Sequence, residues 1–176
     1  AEWQVHAAPG HDPDALMLFE PQTRTLIAGD ALWEDRLAII FPELEDRPGF
    51  ADTRRTLALI DRLGPRQVVP GHGPVFSDVE GALAASLRRL DAFEREPLRH
   101  VRHAARALLM FHLMEVGEDR RDTLHAWLLR TPLFLRMAAR LAPAGGADAW
   151  AAELLDSLLD DGLLCEHEGS LQPGDP

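Results

Sequence analysis

Three short segments of the chain each end in a side chain of a type that binds divalent metals. His11 and His72 each follow a Pro-Gly pair, and Asp30 follows a glycine. All three come after a short apolar run. Imidazole nitrogens and carboxylate oxygens at strand ends are suitable ligands for zinc. One such residue alone is more often a surface or turn residue, but three of them in this order favour a metal centre.

The sequence around these residues predicts the elements that must position them. A hairpin of two strands delivers Asp30 at its far end, and a strand–helix–strand order leads to His72, which is typical of a right-handed crossover unit. Asp52 is the expected N-cap of the intervening helix. The irregular segment 31–49 is a long loop of the kind that borders a site. The predicted strands are 3–6, 15–20, 25–28 and 67–69, and the predicted helices are 50–63 and 77–93.

The composition changes near Pro97, and the pattern that follows is mainly helical. Two strands flank Glu168-Gly169 near the end of the chain, which is a hairpin signal. Several helices followed by a short β-hairpin describe a winged-helix-like module. We therefore expect an α/β chain with two domains, 1–96 and 97–176. The predicted helices are 98–116, 123–129, 133–141 and 147–159.

Residues 3 to about 95 resemble the C-terminal half of a metallo-β-lactamase-fold hydrolase. The resemblance lies in the Pro-Gly-His loop at His11, the Gly-Asp strand end at Asp30 and the Gly-His loop at His72. It implies a partial αββα half-sandwich in the first domain. The His-x-His-x-Asp-His cluster, which carries the other ligands in this family, does not occur in the sequence. We therefore expect the chain to be a fragment of a longer protein.

The resemblance also implies the chemistry. Asp30, the expected catalytic residue, would bridge two metals, with His11 serving the first and His72 the second. The metal would be zinc, although His and Asp also suit iron or manganese. Zinc lowers the pKa of bound water to about 7, which suits hydrolysis of an ester, thioester or related bond in a small-molecule substrate. With part of the site missing, we expect weak or absent metal binding and no activity in this chain alone.

Composition limits the partners. The net charge of −11 argues against nonspecific binding to nucleic acid, and no apolar run is long enough to span a membrane. A single cysteine, Cys165, suits a cytoplasmic protein. A half-sandwich leaves one sheet face bare, so we expect the missing N-terminal half or a second copy of the chain to cover it. The residues expected on that face are Leu16, Leu18, Ile27 and Val68.

Two alternatives stay open. The first is a winged-helix module that binds nucleic acid or a protein through a stripe of arginines on one helix. The net charge of the chain instead favours a solvated face for this stripe. The stripe consists of Arg95, Arg99, Arg102 and Arg106. The second alternative is an enzyme assembled from two chains, in which another polypeptide supplies the missing metal ligands.

Overall fold

The computed structural model describes residues 2–142 and 144–174 of the 176-residue chain. The chain is mixed α/β and divides into two compact units, Ala1–Pro97 and Leu98–Pro176. The elements of the first unit are β1 (Gln4–Ala7), β2 (Leu16–Glu20), β3 (Thr25–Gly29), α1 (Phe41–Leu44), α2 (Phe50–Leu63), β4 (Gln67–Pro70) and α3 (Val79–Arg95).

The strands of the first unit form one sheet in the order β1-β2-β3-β4. β1 and β3 both run antiparallel to β2, while β3 runs parallel to β4, with α2 in the connection between them. The carboxyl ends of β1, β3 and β4 therefore lie at the same edge of the sheet. The segments that leave these three ends are the ones that contain His11, Asp30 and His72.

One face of this sheet packs against helices and forms the core of the unit. Met17, Leu26 and Val68 are fully buried on it, in a cluster that includes residues of α2 and α3. Val68 was expected on the opposite, bare face, and that expectation is wrong. Val68 pairs with Leu26 across the parallel ladder, and paired residues share a face of the sheet.

The opposite face carries an aliphatic row that crosses all four strands. Ladder pairing places Val5 beside Leu18, Leu18 beside Ile27, and Ile27 beside Val69. Val5 is 62% exposed and Ile27 is 38% exposed, and Leu16 in the same strand as Leu18 is 61% exposed. This row is called the open sheet face below.

Helix α2 has the predicted bounds, but its predicted cap is wrong. The N-cap position is Gly49, and the side chain of Asp52 does not fill that role. Instead, a carboxylate oxygen of Glu43 accepts hydrogen bonds from the backbone N–H groups of Gly49, at 2.6 Å, and Phe50, at 2.9 Å. An acidic group at this end also suits the helix dipole. The cap therefore comes from the short helix α1, several residues upstream.

The second unit is mainly helical and ends in the predicted hairpin. The turn residues Glu168 and Gly169 have φ values of +52° and +81°, as a two-residue type I′ turn requires. A two-residue strand, β5 (Asp119–Arg120), is too short to show any periodicity. It adds to the hairpin of β6 (Leu164–His167) and β7 (Ser170–Pro173) in the order β5-β7-β6. The elements are α4 (Pro97–Val116), β5 (Asp119–Arg120), α5 (Arg121–Arg130), α6 (Pro132–Leu141), α7 (Gly146–Asp160), β6 (Leu164–His167) and β7 (Ser170–Pro173).

The core of the second unit includes a histidine. His100, on α4, is 1% exposed, and burial lowers its pKa to about 4, with smaller contributions from the charges of His103 and Arg140. On the same helix the ring of His112 stacks on Trp127, with ring centroids 3.8 Å apart. Among the described helices, none is both long enough and apolar enough to cross a membrane.

Candidate metal centre

The loop that carries His11 is fastened to helix α2. The Thr56 hydroxyl donates a 2.7 Å hydrogen bond to the carbonyl oxygen of Pro9, two residues before His11. Gly10 lies so close to the same helix that an added Cβ would be 2.6 Å from the Thr53 hydroxyl oxygen. A glycine is therefore required for the loop to pack this closely against the helix. The loop in turn holds the His11 ring at the sheet edge.

Asp30 and His72 are brought together by the parallel pair β3 and β4. The backbone N–H of Gly71 donates a 2.7 Å hydrogen bond to the carbonyl oxygen of Gly29, which extends the contact between the two strands beyond their ends. A Cβ on Gly71 would be 2.5 Å from Oδ1 of Asp30. The absence of a side chain at this position therefore leaves the space that the Asp30 carboxylate occupies.

The three side chains meet around that carboxylate. Nε2 of His11 is 3.6 Å from Oδ2 of Asp30, and Nε2 of His72 is 3.8 Å from Oδ1. The side chains of His11, Asp30 and His72 are 26%, 30% and 68% exposed, so the site opens to solvent on the His72 side. Each imidazole thus faces its own oxygen of one shared carboxylate.

These separations suit donors that share a metal ion. Two bonds of about 2.1 Å that meet at a tetrahedral angle place their donor atoms about 3.4 Å apart. The two measured distances lie slightly above that value and are too long for hydrogen bonds. The donor types are also those that zinc prefers. The residues present therefore fit a metal ion beside each imidazole.

The three side chains form two donor pairs and not one triplet. Across residues 2–142 and 144–174, no group of three or more His, Cys, Asp and Glu side chains is arranged to hold a metal ion. A catalytic zinc usually has three protein ligands and a water. Each pair, His11 with Asp30 and His72 with Asp30, would therefore need ligands from outside the described residues.

The tautomer of His11 is set by the chain itself. Nδ1 of His11 lies 2.6 Å from the carbonyl oxygen of Ile39, which can only accept, so Nδ1 carries the proton and donates. In the neutral ring the lone pair is then on Nε2, the nitrogen that faces Asp30. The ring also packs edge-on against Phe41, with centroids 5.2 Å apart. A backbone carbonyl behind a metal-binding histidine is the usual way of fixing its orientation.

Trp33 contacts the other two members of the site. Its indole N–H donates a 3.1 Å hydrogen bond to Oδ1 of Asp30. Its ring packs edge-on against His72, with centroids 5.2 Å apart and planes at 73°. Trp33 and the Ile39 carbonyl were both missed by the sequence analysis. The only available signal was their position in segment 31–49, which was expected to border the site.

One protein-family model matches the N-terminal part of the chain. A family model described as the metallo-beta-lactamase superfamily matches residues 1–72 of the chain. The matched segment contains His11, Asp30 and His72. The match covers less than half of the chain. Comparison with curated proteins gives no match.

Three solved structures with similarity to the chain are each longer than it is. A metallo-beta-lactamase family protein from Thermus thermophilus is 19% identical with a TM-score of 0.45, over 97% of this chain and 49% of that chain. A beta-lactamase domain protein from Burkholderia ambifaria is 22% identical with a TM-score of 0.47, over 98% and 48%. TTHA1623, solved in a di-iron-bound form, is 29% identical with a TM-score of 0.33, over 49% and 40%. The chain therefore spans half or less of the length of these structures.

Proposed function

We propose that this chain carries the C-terminal half of the catalytic fold of a metal-dependent hydrolase that acts on an ester, thioester or related bond of a small molecule. The observation that supports it is the position of the Asp30 carboxylate. One of its oxygens faces Nε2 of His11 at 3.6 Å, and the other faces Nε2 of His72 at 3.8 Å. A carboxylate shared in this way suits a bridge between two metal ions.

In this proposal each residue has a separate task. His11 and Asp30 would hold one metal ion, and Asp30 and His72 would hold the second, with Asp30 as the proposed catalytic residue. When bound, the metals supply Lewis acidity that activates water and stabilises the leaving oxygen. The carbonyl of Ile39 accepts from Nδ1 of His11 and so orients Nε2 toward Asp30. Zinc is the proposed metal, and iron or manganese would suit the same donors.

The remaining ligands would come from a His-x-His-x-Asp-His segment, which this sequence does not contain. The chain alone should therefore hold zinc weakly, if at all, and should not hydrolyse substrate. An N-terminal half, either joined to the chain or supplied as a second polypeptide, would complete both sites. This proposal covers the fragment and the two-chain enzyme equally, because both need the same missing donors.

The test is reconstitution with the missing half. The coding sequence upstream of this chain is first inspected for the His-x-His-x-Asp-His segment, and the encoded half is then coexpressed with the chain. Elemental analysis and a chromogenic ester assay are applied to the chain alone and to the complex. We expect metal and turnover in the complex only. Stoichiometric metal with clear turnover in the chain alone would contradict the proposal.

We propose that the same missing half covers the open sheet face, with a second copy of the chain as the alternative occupant. Exposed aliphatic side chains such as Val5, at 62%, and Leu16, at 61%, are typical of a face that packs against another layer. Val5→Glu should weaken the association, as measured by light scattering of the chain with and without the N-terminal half. Gln4→Glu is the matched control, because it adds the same charge to the neighbouring position of β1, on the other side of the strand.

A second role is proposed for the C-terminal unit, as a winged-helix-like binding module for a protein partner. The hairpin of β6 and β7, which follows α7 and pairs with β5 in the order β5-β7-β6, supports this role. Nucleic acid is a poor candidate for the partner. Helix α7 contains four acidic residues and no basic one, and the end of the arginine stripe is neutralised because Arg106 pairs with Asp161 at 2.6 Å.

The predicted arginine stripe does not lie on one helix, because Arg95 ends α3 whereas the other three arginines lie on α4. Substitutions in the α4 part discriminate between the two roles. Arg99→Ala and Arg102→Ala together should leave metal content and hydrolysis of the reconstituted protein unchanged, because neither residue lies in the unit that holds the site. Binding to a labelled DNA or RNA duplex should be weak before and after the change. Tight binding that the double variant abolishes would favour the nucleic-acid-binding alternative.

A further inference from the structure

We infer that Trp33 is a positioning residue that holds Asp30 and His72 in the geometry needed for metal binding. The inference rests on the proposed function, because it concerns the same site. Trp33 is identified neither by the superfamily match nor by the sequence pattern of the three Gly-flanked ligands. Two independent contacts support it, one to the carboxylate and one to the imidazole.

The first contact fixes the Asp30 carboxylate. The terminal torsion of an aspartate is broad, so its two oxygens do not by themselves keep fixed places. The Trp33 indole N–H donates to Oδ1 at 3.1 Å from one side. On another side Gly71 comes so close that a Cβ there would be 2.5 Å from the same oxygen. Confined between these two groups, the carboxylate keeps Oδ1 toward His72 and Oδ2 toward His11.

The indole bond leaves Oδ1 able to bind metal. A carboxylate oxygen has two lone pairs, and the indole uses one of them. The other remains for the metal ion on the His72 side. Tryptophan cannot compete for that ion, because its N–H is a donor only. The residue therefore orients the ligand without occupying the place of the metal.

The second contact restrains His72, whose side chain is 68% exposed. An exposed histidine samples several rotamers and loses that freedom when it binds an ion. The edge of the half-buried Trp33 ring packs against the imidazole and restricts this rotation before the metal arrives. Both contacts lie on the His72 side of the carboxylate. Loss of Trp33 should therefore weaken the metal ion on that side most.

The experiment compares two substitutions in the protein reconstituted with its N-terminal half. Trp33→Phe keeps an aromatic edge against His72 but removes the donor, and Trp33→Leu removes both. Zinc affinity is measured by competition with a chromogenic chelator. We expect the affinity of one of the two zinc ions to fall about 10- to 100-fold in Trp33→Phe, and further in Trp33→Leu. Trp3→Phe, which changes an indole that is 40% exposed, is the control and should match the unsubstituted protein.

A second measurement needs no metal and separates the two possible failures. In the ¹⁵N–¹H spectrum of the 176-residue chain, the indole signal that disappears in Trp33→Phe should shift upfield in Asp30→Ala, because its acceptor is lost. An indole signal that does not respond to Asp30→Ala, or unchanged zinc affinity in Trp33→Phe, would overturn the inference. If the reconstituted protein binds no zinc at all, the proposed function fails, and the inference fails with it even if the indole signal shifts.

Discussion

Histidine occurs in both units, and its surroundings differ between them. In the first unit, Nε2 of His11 and Nε2 of His72 each face an oxygen of Asp30, in a site that is partly open to solvent. In the second unit, His100 is 1% exposed, and burial lowers its pKa to about 4. His112 of the same unit stacks on Trp127.

The difference lies in what each ring nitrogen faces. A neutral imidazole can bind a metal ion when one ring nitrogen donates a hydrogen bond that fixes the ring and the other nitrogen faces the ion. His11 meets both conditions, through the carbonyl of Ile39 and the carboxylate of Asp30. His100 is buried, and the positive charges of His103 and Arg140 disfavour any added cation. The same residue type thus faces a carboxylate in one unit and belongs to the buried core in the other.

The largest expected effect comes from removing the carboxylate that distinguishes the two environments. In the reconstituted protein, Asp30→Ala should remove bound metal and hydrolysis together, because both donor pairs contain Asp30. Elemental analysis and the ester assay measure the two losses. Asp35→Ala is the control, since that carboxylate is 80% exposed and close in sequence. Loss of turnover with full metal content would show that Asp30 is not a shared ligand.

A smaller effect is expected when the carboxylate is displaced but not removed. The Cβ of Gly71→Ala would be 2.5 Å from Oδ1 of Asp30, so the carboxylate must move. We expect zinc affinity in the reconstituted protein to fall about 10- to 100-fold. Gly145→Ala serves as the control, because an added Cβ there meets nothing within 4 Å. Equal affinities in the two variants would mean that the position of Oδ1 does not matter for metal binding.

The buried histidine of the second unit makes a prediction of its own. The pKa of His100 is about 4 in the folded protein, against 6.5 for an unperturbed histidine, so the unfolded chain binds the proton more tightly. The folded state therefore loses stability as pH falls from about 6.5 toward 4. At pH 5 the loss is about 2 kcal/mol.

Urea unfolding at pH 7 and pH 5 measures this loss. His100→Leu should remove about 2 kcal/mol of the decrease in unfolding free energy between the two pH values. His167→Leu, which changes an exposed histidine of the hairpin, should keep the full decrease. If both variants retain the pH dependence of the original chain, the buried imidazole is not its source.

The smallest effect concerns the loop beneath His11. Thr56→Val keeps the shape of a buried side chain but removes the hydrogen bond to the carbonyl of Pro9. We expect a loss of about 1 kcal/mol in the unfolding free energy of the first unit. Thr123→Val, at an exposed position of the second unit, should change it little. Equal unfolding free energies in the two variants would show that solvent replaces the hydrogen bond of the Thr56 hydroxyl without loss of stability.

Local sequence patterns predicted the helices and strands and identified the three candidate metal ligands. Apolar runs bounded by proline and glycine were sufficient for the hairpin and for α2, whose bounds match the prediction. The run Gln67-Val68-Val69 has no alternation that separates its two valines. Its core-facing residue was therefore assigned wrongly, and only the pairing of Val68 with Leu26 decides it.

Contacts between distant or irregular segments could not be predicted in this way. The cap of α2 comes from Glu43, seven residues before the amide of Phe50, and no capping pattern has that spacing. The hydrogen bonds of Trp33 and Ile39 to the site depend on how segment 31–49 folds back over the sheet edge. That path is set by tertiary packing, because the segment has little regular structure of its own.

Helix α2 has a consequence for the motion of the site. The Thr56 side chain, on this helix, binds the loop that ends in His11. The backbone N–H groups at the start of the helix bind Glu43, which follows Ile39 in the same segment. Fraying of the first turn would loosen Ile39, the acceptor that sets the tautomer of His11. We therefore expect opening of that turn and reorientation of the imidazole to occur together. Amide hydrogen exchange at Gly49 and Phe50 would report how often the His11 ring is released.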